Sequence, residues 1–202
     1  MFEEWAGALR ELTATKEAAE SWRHNRYEFA HRLGHALTDD RQTGEPVVSG
    51  HVVYGVWLKW GLLYVGQTRG AERRLRDLPV GESHHLANTF PPEIWHRVVV
   101  VSWPKLAEAA SAVAEVEPDE VGLGLEHRLQ AWLQPLANAS RRTPGGNWRS
   151  VDWTRSRSRG AVVGARIDRL FTEVRNVWEE ASQAEVAAES DVYRVVFPAD
   201  FR

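Results

Sequence analysis

Hydrophobic positions along this chain fall into blocks of different period. Residues 3–38 repeat apolar side chains at helical spacing, Trp5, Leu9 and Leu12, then Trp22, Phe29, Leu33 and Leu37, which predicts one long or two shorter amphipathic helices. The period changes at residue 52. Val52-Val53-Tyr54-Gly55-Val56-Trp57-Leu58 and Leu62-Leu63-Tyr64-Val65 are runs of Val, Leu and aromatics that predict a β-hairpin turning at Lys59-Trp60-Gly61. A three-residue loop with Gly61 in the left-handed region would set Leu58 opposite Leu62, Val56 opposite Tyr64 and Tyr54 opposite Gly66. Side chains alternate along strands, so Tyr54 and Tyr64 share a face as diagonal neighbours, roughly 7–8 Å apart, and Trp57 lies on the other. Of the ten tryptophans, Trp57, Trp60 and Trp95 fall in or near this hairpin's face, and most of the rest are expected in the core.

The pattern continues with a helix opened by Thr68 as N-cap, Leu75 and Leu78 turned inward. Residues 98–101, four valines, read as a buried central strand, followed by a helix from Pro104 to about Val116. Residues 122–133 form another amphipathic helix, striped by Leu125, Leu129, Trp132 and Leu133 and closed by Pro135-Leu136-Ala137-Asn138. Glu126 shares a face with Leu129 and Leu133, so its carboxylate leans toward the core flank. His127 points about 100° away and is incidental on this reading. Residues 161–189 predict a last helix, with Val163, Ile167, Leu170, Phe171, Val174, Val177 and Trp178 inward, and residues 193–197 a short terminal strand or tail. The fold class is therefore α/β, a small three-stranded antiparallel or mixed sheet flanked by helices. Residues 1–46 form an N-terminal helical extension, 47–140 the core, and 141–202 an arginine-rich loop and C-terminal helical extension.

Composition narrows the function classes. A chain of 202 residues is long enough for a proper core, and the absence of cysteine excludes disulfides and thiolate metal sites. No His set has zinc spacing. No signal peptide and no apolar run near membrane-span length is present, so a cytoplasmic protein with no membrane partner is expected. Net charge is only −3, yet residues 141–169 hold eight arginines against two aspartates. There Arg141, Arg142, Asn147, Trp148, Arg149, Arg155, Arg157 and Arg159 suit phosphate contact, with Trp148 or Trp153 placed to stack on a base. A solvated linker is the alternative reading of the same segment. Arg69 and Arg73, after the hairpin, join the candidate nucleic-acid contacts.

The order Tyr54, Tyr64-Val65-Gly66, Arg74, Glu126 and then Asn138 after a Pro-Leu step resembles the GIY-YIG nuclease superfamily over residues 50–140, about half the chain. Val52-Val53-Tyr54 stands for the first tripeptide and departs from it, since that tripeptide usually begins with Gly. The register Gly55-Val56-Trp57 would restore the glycine but replace the tyrosine with Trp. The resemblance implies an endonuclease that hydrolyses DNA phosphodiester bonds, of restriction or defence type or else a repair or mobile-element enzyme, the restriction type being commonly a homodimer. It implies Glu126 as ligand of Mg²⁺ or Mn²⁺ and Asn138 as the asparagine that closes the domain. The residue types suit that chemistry. One carboxylate can hold a divalent cation whose shell is completed by water and phosphate oxygens. Arg74 offers a planar fork to phosphate. Tyr54 is the candidate base, provided a nearby cation depresses its phenol, and Tyr64 orders the water or the phosphate. In the loop after the arginine helix His84-His85 could donate a proton to the phosphate, His85 being the candidate, or could simply be exposed polar residues. A non-cleaving DNA-binding or scaffold protein, or a domain repurposed for a small phosphorylated or nucleotide-like substrate, are the alternatives.

Overall fold

A computed structural model describes residues 2–40, 43–81, 85–153 and 155–202. In chain order the elements are α1 (Phe2–Leu12), α2 (Lys16–Thr38), β1 (Val52–Leu58), β2 (Gly61–Thr68), α3 (Ala71–Val80), α4 (Leu86–Thr89), β3 (Arg97–Val101), α5 (Ala109–Glu115), α6 (Pro118–Leu133), α7 (Arg159–Gly164), α8 (Asp168–Gln183), β4 (Ala188–Glu189) and β5 (Tyr193–Val196). The α/β class holds, but the sheet among the described residues has five strands rather than three. All are antiparallel, in the order β2-β1-β3-β5-β4. The terminal segment is the reason: Val195 and Val196 are buried opposite Val99 and Val98, so the chain end continues the core sheet.

The sheet is covered on both sides, which accounts for the nearly unbroken valine runs of β1 and β3. One face, with Val53, Val65, Val99, Val101 and Val195, packs against α6, α7 and α8 through Leu125, Leu129, Val163, Leu170, Val174 and Trp178. The other, with Val52, Tyr54, Val56, Val98 and Val100, packs against α2 and α3 through Phe29, Leu33, Leu37, Leu75 and Leu78. Each fully buried Leu or Val of this kind contributes roughly 1.5–3 kcal/mol. Helices α2 and α3 cross at Gly34, where an added Cβ would meet the Arg76 carbonyl at 2.5 Å, so only glycine permits the contact.

Several local expectations change. The amphipathic N-terminus is two helices, because Thr15 caps α2 by accepting from the Ala18 N–H at 3.1 Å. Leu9, Leu12 and Trp22 are exposed rather than inward, and α1 packs chiefly on α2. The side chain of Trp5 lies outside the described ones. The hairpin turns on Lys59-Trp60 alone, and Gly61, at φ 151°, already belongs to β2 opposite Leu58. The register slips by one at Val56/Trp57, so Trp57 rather than Leu58 faces Leu62, while Val56–Tyr64 and Tyr54–Gly66 stand as expected. That bulge sends Leu62 to the α8 side and both Leu63 and Tyr64 to the α3 side. Helix α3 starts at Ala71 with Gly70 as N-cap, and the Thr68 hydroxyl instead accepts the Gly70 N–H at 3.1 Å. The expected helix from Pro104 is a 3-10 turn over Trp103–Lys105 followed by α5. The helix expected over 161–189 is broken into α7 and α8 around Ile167. Trp95 is a core residue whose Nε1 donates to the Phe90 carbonyl at 2.8 Å. No helix among the described residues is long and apolar enough to cross a membrane.

Candidate active site

Tyr54 on β1 and Tyr64 on β2 lie side by side, ring centroids 6.1 Å apart and planes tilted by 39°. The backbone reason is Gly66. Opposite Tyr54 in the ladder, it would place a Cβ 2.7 Å from the Tyr54 hydroxyl and 2.7 Å from the Tyr64 ring, so any other residue would push the phenols apart. Tyr54 is fully buried, whereas Tyr64 is half-buried and remains within reach of solvent. The Tyr54 hydroxyl has no hydrogen bond of good geometry among the described residues, although Arg74 and Tyr64 are close enough to favour its ionised form. Burial outweighs them and raises the Tyr54 phenol above its ordinary value. Burial, then Tyr54 and Glu126, raise Tyr64 as well, against a smaller pull from Arg74. The condition set for Tyr54 as base, a depressed phenol, is therefore not met: burial raises both phenols, and Tyr54 is shut off from solvent.

Glu126 comes to the same place from α6, half-buried at the β2 edge. Its Oε1 accepts from Gln130 Nε2 at 3.1 Å, and the same amide nitrogen donates to the Val65 carbonyl at 3.1 Å. Arg141 Nε donates to Gln130 Oε1 at 3.3 Å. Burial raises the Glu126 carboxyl to about 7, with Arg141, Arg74 and the Gln130 hydrogen bond opposing it. Gln130 went unmarked in the sequence, though its place one turn after Glu126 on a single helix face was the available signal. Asn138 acts on structure. Its Oδ1 accepts from the Val65 N–H and its Nδ2 donates to the Val65 carbonyl, both at 3.0 Å, while Ala137 N–H donates to the Leu63 carbonyl at 2.7 Å. The Pro-Leu-Ala-Asn segment therefore closes the open edge of β2 and holds the Tyr64 strand flat.

The predicted arginines divide into two sets. Arg141 is bound to Gln130; Arg142 donates to the Gly146, Gln134 and Pro135 carbonyls at 2.8, 3.0 and 3.0 Å; Arg149 donates to the Arg142 carbonyl at 2.9 Å. These bonds build a small loop in which Arg142 lies 5.3 Å over Trp148, so Trp148 is packed rather than presented to a base. Trp153 is likewise engaged, edge-on to His127 at 5.1 Å. Asn147 is exposed, Arg155 stands 3.8 Å from Asp152, and Arg157 is exposed. Arg69, Arg73 and Arg74, by contrast, meet Arg159 in one cleft of about 460 Å³, together with Gln67, Thr68, Gly70, Asp119 and Leu123. Asp119 bridges Arg69 at 3.0 Å and His51 at 2.9 Å.

The remaining histidines are not brought in. His85 is exposed where α4 begins, with no hydrogen bond to the site among the described residues, and His84 lies outside the described residues. His127 is not incidental: it is buried between α6 and α7, and burial lowers its imidazole to about 4, so it stays neutral there. No group of three or more His, Asp or Glu side chains is poised to hold a metal among the described residues. A single-carboxylate site remains compatible with a hard divalent cation that keeps waters and phosphate oxygens as its other ligands, because Glu126 Oε2 carries no hydrogen bond among those residues. No protein-family model matches the chain, and no curated protein or solved structure matches it either.

Proposed function

We propose that this chain is a divalent-metal-dependent endonuclease that hydrolyses DNA phosphodiester bonds with a GIY-YIG-type site. One observation carries the reading. Two phenols, a guanidinium and a half-buried carboxylate, drawn from β1, β2, α3 and α6, converge beside an arginine-lined cleft. Tyr54, Tyr64, Arg74 and Glu126 come from four elements and bear on one another's charge, the kind of clustering that functional sites show.

In this reading Arg74 binds the non-bridging oxygens of the phosphate, and Tyr64, the reachable phenol, donates a hydrogen bond to phosphate or accepts one from the attacking water. Tyr54 supports Tyr64 from behind. Glu126 is the residue that would hold Mg²⁺ or Mn²⁺, which when bound supplies Lewis-acid stabilisation of the phosphoryl oxygens. Gln130 fixes the carboxylate's rotamer from one side and leaves Oε2 for the cation. Because Glu126 titrates at about 7, cation binding must displace a proton at lower pH, and metal affinity falls as pH drops below that value.

The test is cleavage of supercoiled plasmid and phage DNA with Mg²⁺ or Mn²⁺ by wild type and Glu126→Ala. Fragments from wild type, with the variant slower by about 10²–10³-fold, support the assignment. Intact DNA in both lanes across modified and unmodified substrates favours the second reading, a DNA-binding protein that no longer cleaves. The complete burial of Tyr54 is the observation on that side.

A further inference from the structure

We infer that the Arg69–Arg73–Arg159 cleft is a second phosphate seat, which takes the phosphate next to the scissile one and so selects a polynucleotide strand over a lone phosphodiester. The inference rests on the nuclease reading above and deepens it. Its grounds are the commitments of the arginines. Those of the 141–149 loop each have at least one donor on the protein's own carbonyls or on Gln130, and Arg142 has both terminal nitrogens so engaged. Arg73 and Arg159 are exposed and have no ion pair or hydrogen bond among the described residues, although both line the cleft. They arrive from opposite directions, Arg73 from the first turn of α3 and Arg159 from the start of α7. Guanidinium groups with free forks facing one cavity repel each other unless an anion comes between them.

Geometry ties the cleft to the site. Arg74 lines it and also acts on both phenols, and Gln67 and Leu123 continue its wall along β2 and α6 toward Glu126. A cavity of about 460 Å³ has room for a sugar-phosphate unit but not for a folded duplex segment, so what enters is one strand's backbone. Among the described residues the only carboxylate lining it is Asp119, already tied to Arg69 and His51. Asp119 occupies Arg69 in the absence of substrate, as a phosphate would in its presence. A substrate consisting of a single phosphodiester would leave Arg73 and Arg159 without a partner. A polynucleotide fills them.

The experiment is the salt dependence of binding to a fluorescent DNA duplex in EDTA, for the wild type, the double variant Arg73→Ala/Arg159→Ala, Asp119→Asn, and a control Arg10→Ala/Arg23→Ala on the N-terminal helices. The slope of log K against log salt should fall by about one unit in the cleft variant, for the one phosphate contact removed. The control should keep the wild-type slope, and Asp119→Asn should bind more tightly than wild type at every salt. An unchanged slope in the cleft variant, with wild type binding normally, overturns the inference and leaves the nuclease reading standing. Wild-type protein that binds no DNA at any salt overturns the nuclease reading itself, and this inference with it. Both cleft arginines are exposed and unbonded, so unaltered circular dichroism is expected and a folding defect would be visible separately.

Discussion

The two faces of the β1–β2 hairpin use one packing device for different ends. Toward α8, Gly55 lets Trp178 press against the strand beside Trp57, ring centroids 5.4 Å apart and tilted by 40°. Toward α3, Gly66 lets Tyr54 lie against Tyr64 at 6.1 Å and 39°. Each face even leaves a buried polar atom of an aromatic side chain without a hydrogen bond among the described residues, Trp178 Nε1 on one and Tyr54 Oη on the other. An orphaned polar atom in an aromatic pair is therefore not by itself a mark of chemistry. The difference lies in what surrounds it. The phenols can ionise and have Arg74 and Glu126 bearing on them, whereas an indole N–H has no second protonation state to offer.

The largest effect that would separate the faces is on stability. Trp178→Ala removes a fully buried ring from the α8 side and should cost about 3–5 kcal/mol in a denaturant melt. A loss below one kcal/mol, on the order of a surface substitution, would show that this face is not a packed core.

Next in size is a pH-dependent gain. The Glu126 carboxyl goes from its ordinary 4.5 to about 7 on folding, so the folded protein binds the proton more tightly than the unfolded chain. The stability tied to that proton is complete below pH 4.5 and is lost as pH rises through 7. Glu126→Gln keeps an acceptor for Gln130 without the charge. In EDTA it should exceed wild type by about 3 kcal/mol above pH 7, the excess vanishing toward pH 4.5. A pH-independent difference between the two proteins would mean that Glu126 is solvated rather than held at the site.

The smallest and sharpest test is Tyr54→Phe. Deleting a buried hydroxyl that lacks a well-formed hydrogen bond should stabilise the fold by about 1 kcal/mol while lowering plasmid cleavage. Calorimetry and the cleavage assay on one preparation measure both. Destabilisation with cleavage intact would make the α3 face a packing arrangement like its opposite.

Much of this was legible from residue pattern, because period and order are local properties. The valine run of β3, the Tyr54–Gly66 and Val56–Tyr64 register, and the inward Leu75 and Leu78 follow from alternation and helical spacing alone. So does the lean of Glu126 toward the core, whereas Tyr54, Tyr64, Arg74 and Glu126 were marked as a group only by the resemblance of their order to a known family. What the pattern could not contain depends on neighbours distant in sequence. The terminal segment became β5 only because β3 left an edge for it. A one-residue slip at Val56/Trp57 answered to packing on both faces, and Tyr54 was sealed by what covers it. The same holds for charge. Sequence counts arginines, but only the tertiary fold decides which ones find carbonyls to bind and which, like Arg73 and Arg159, are left facing a cleft.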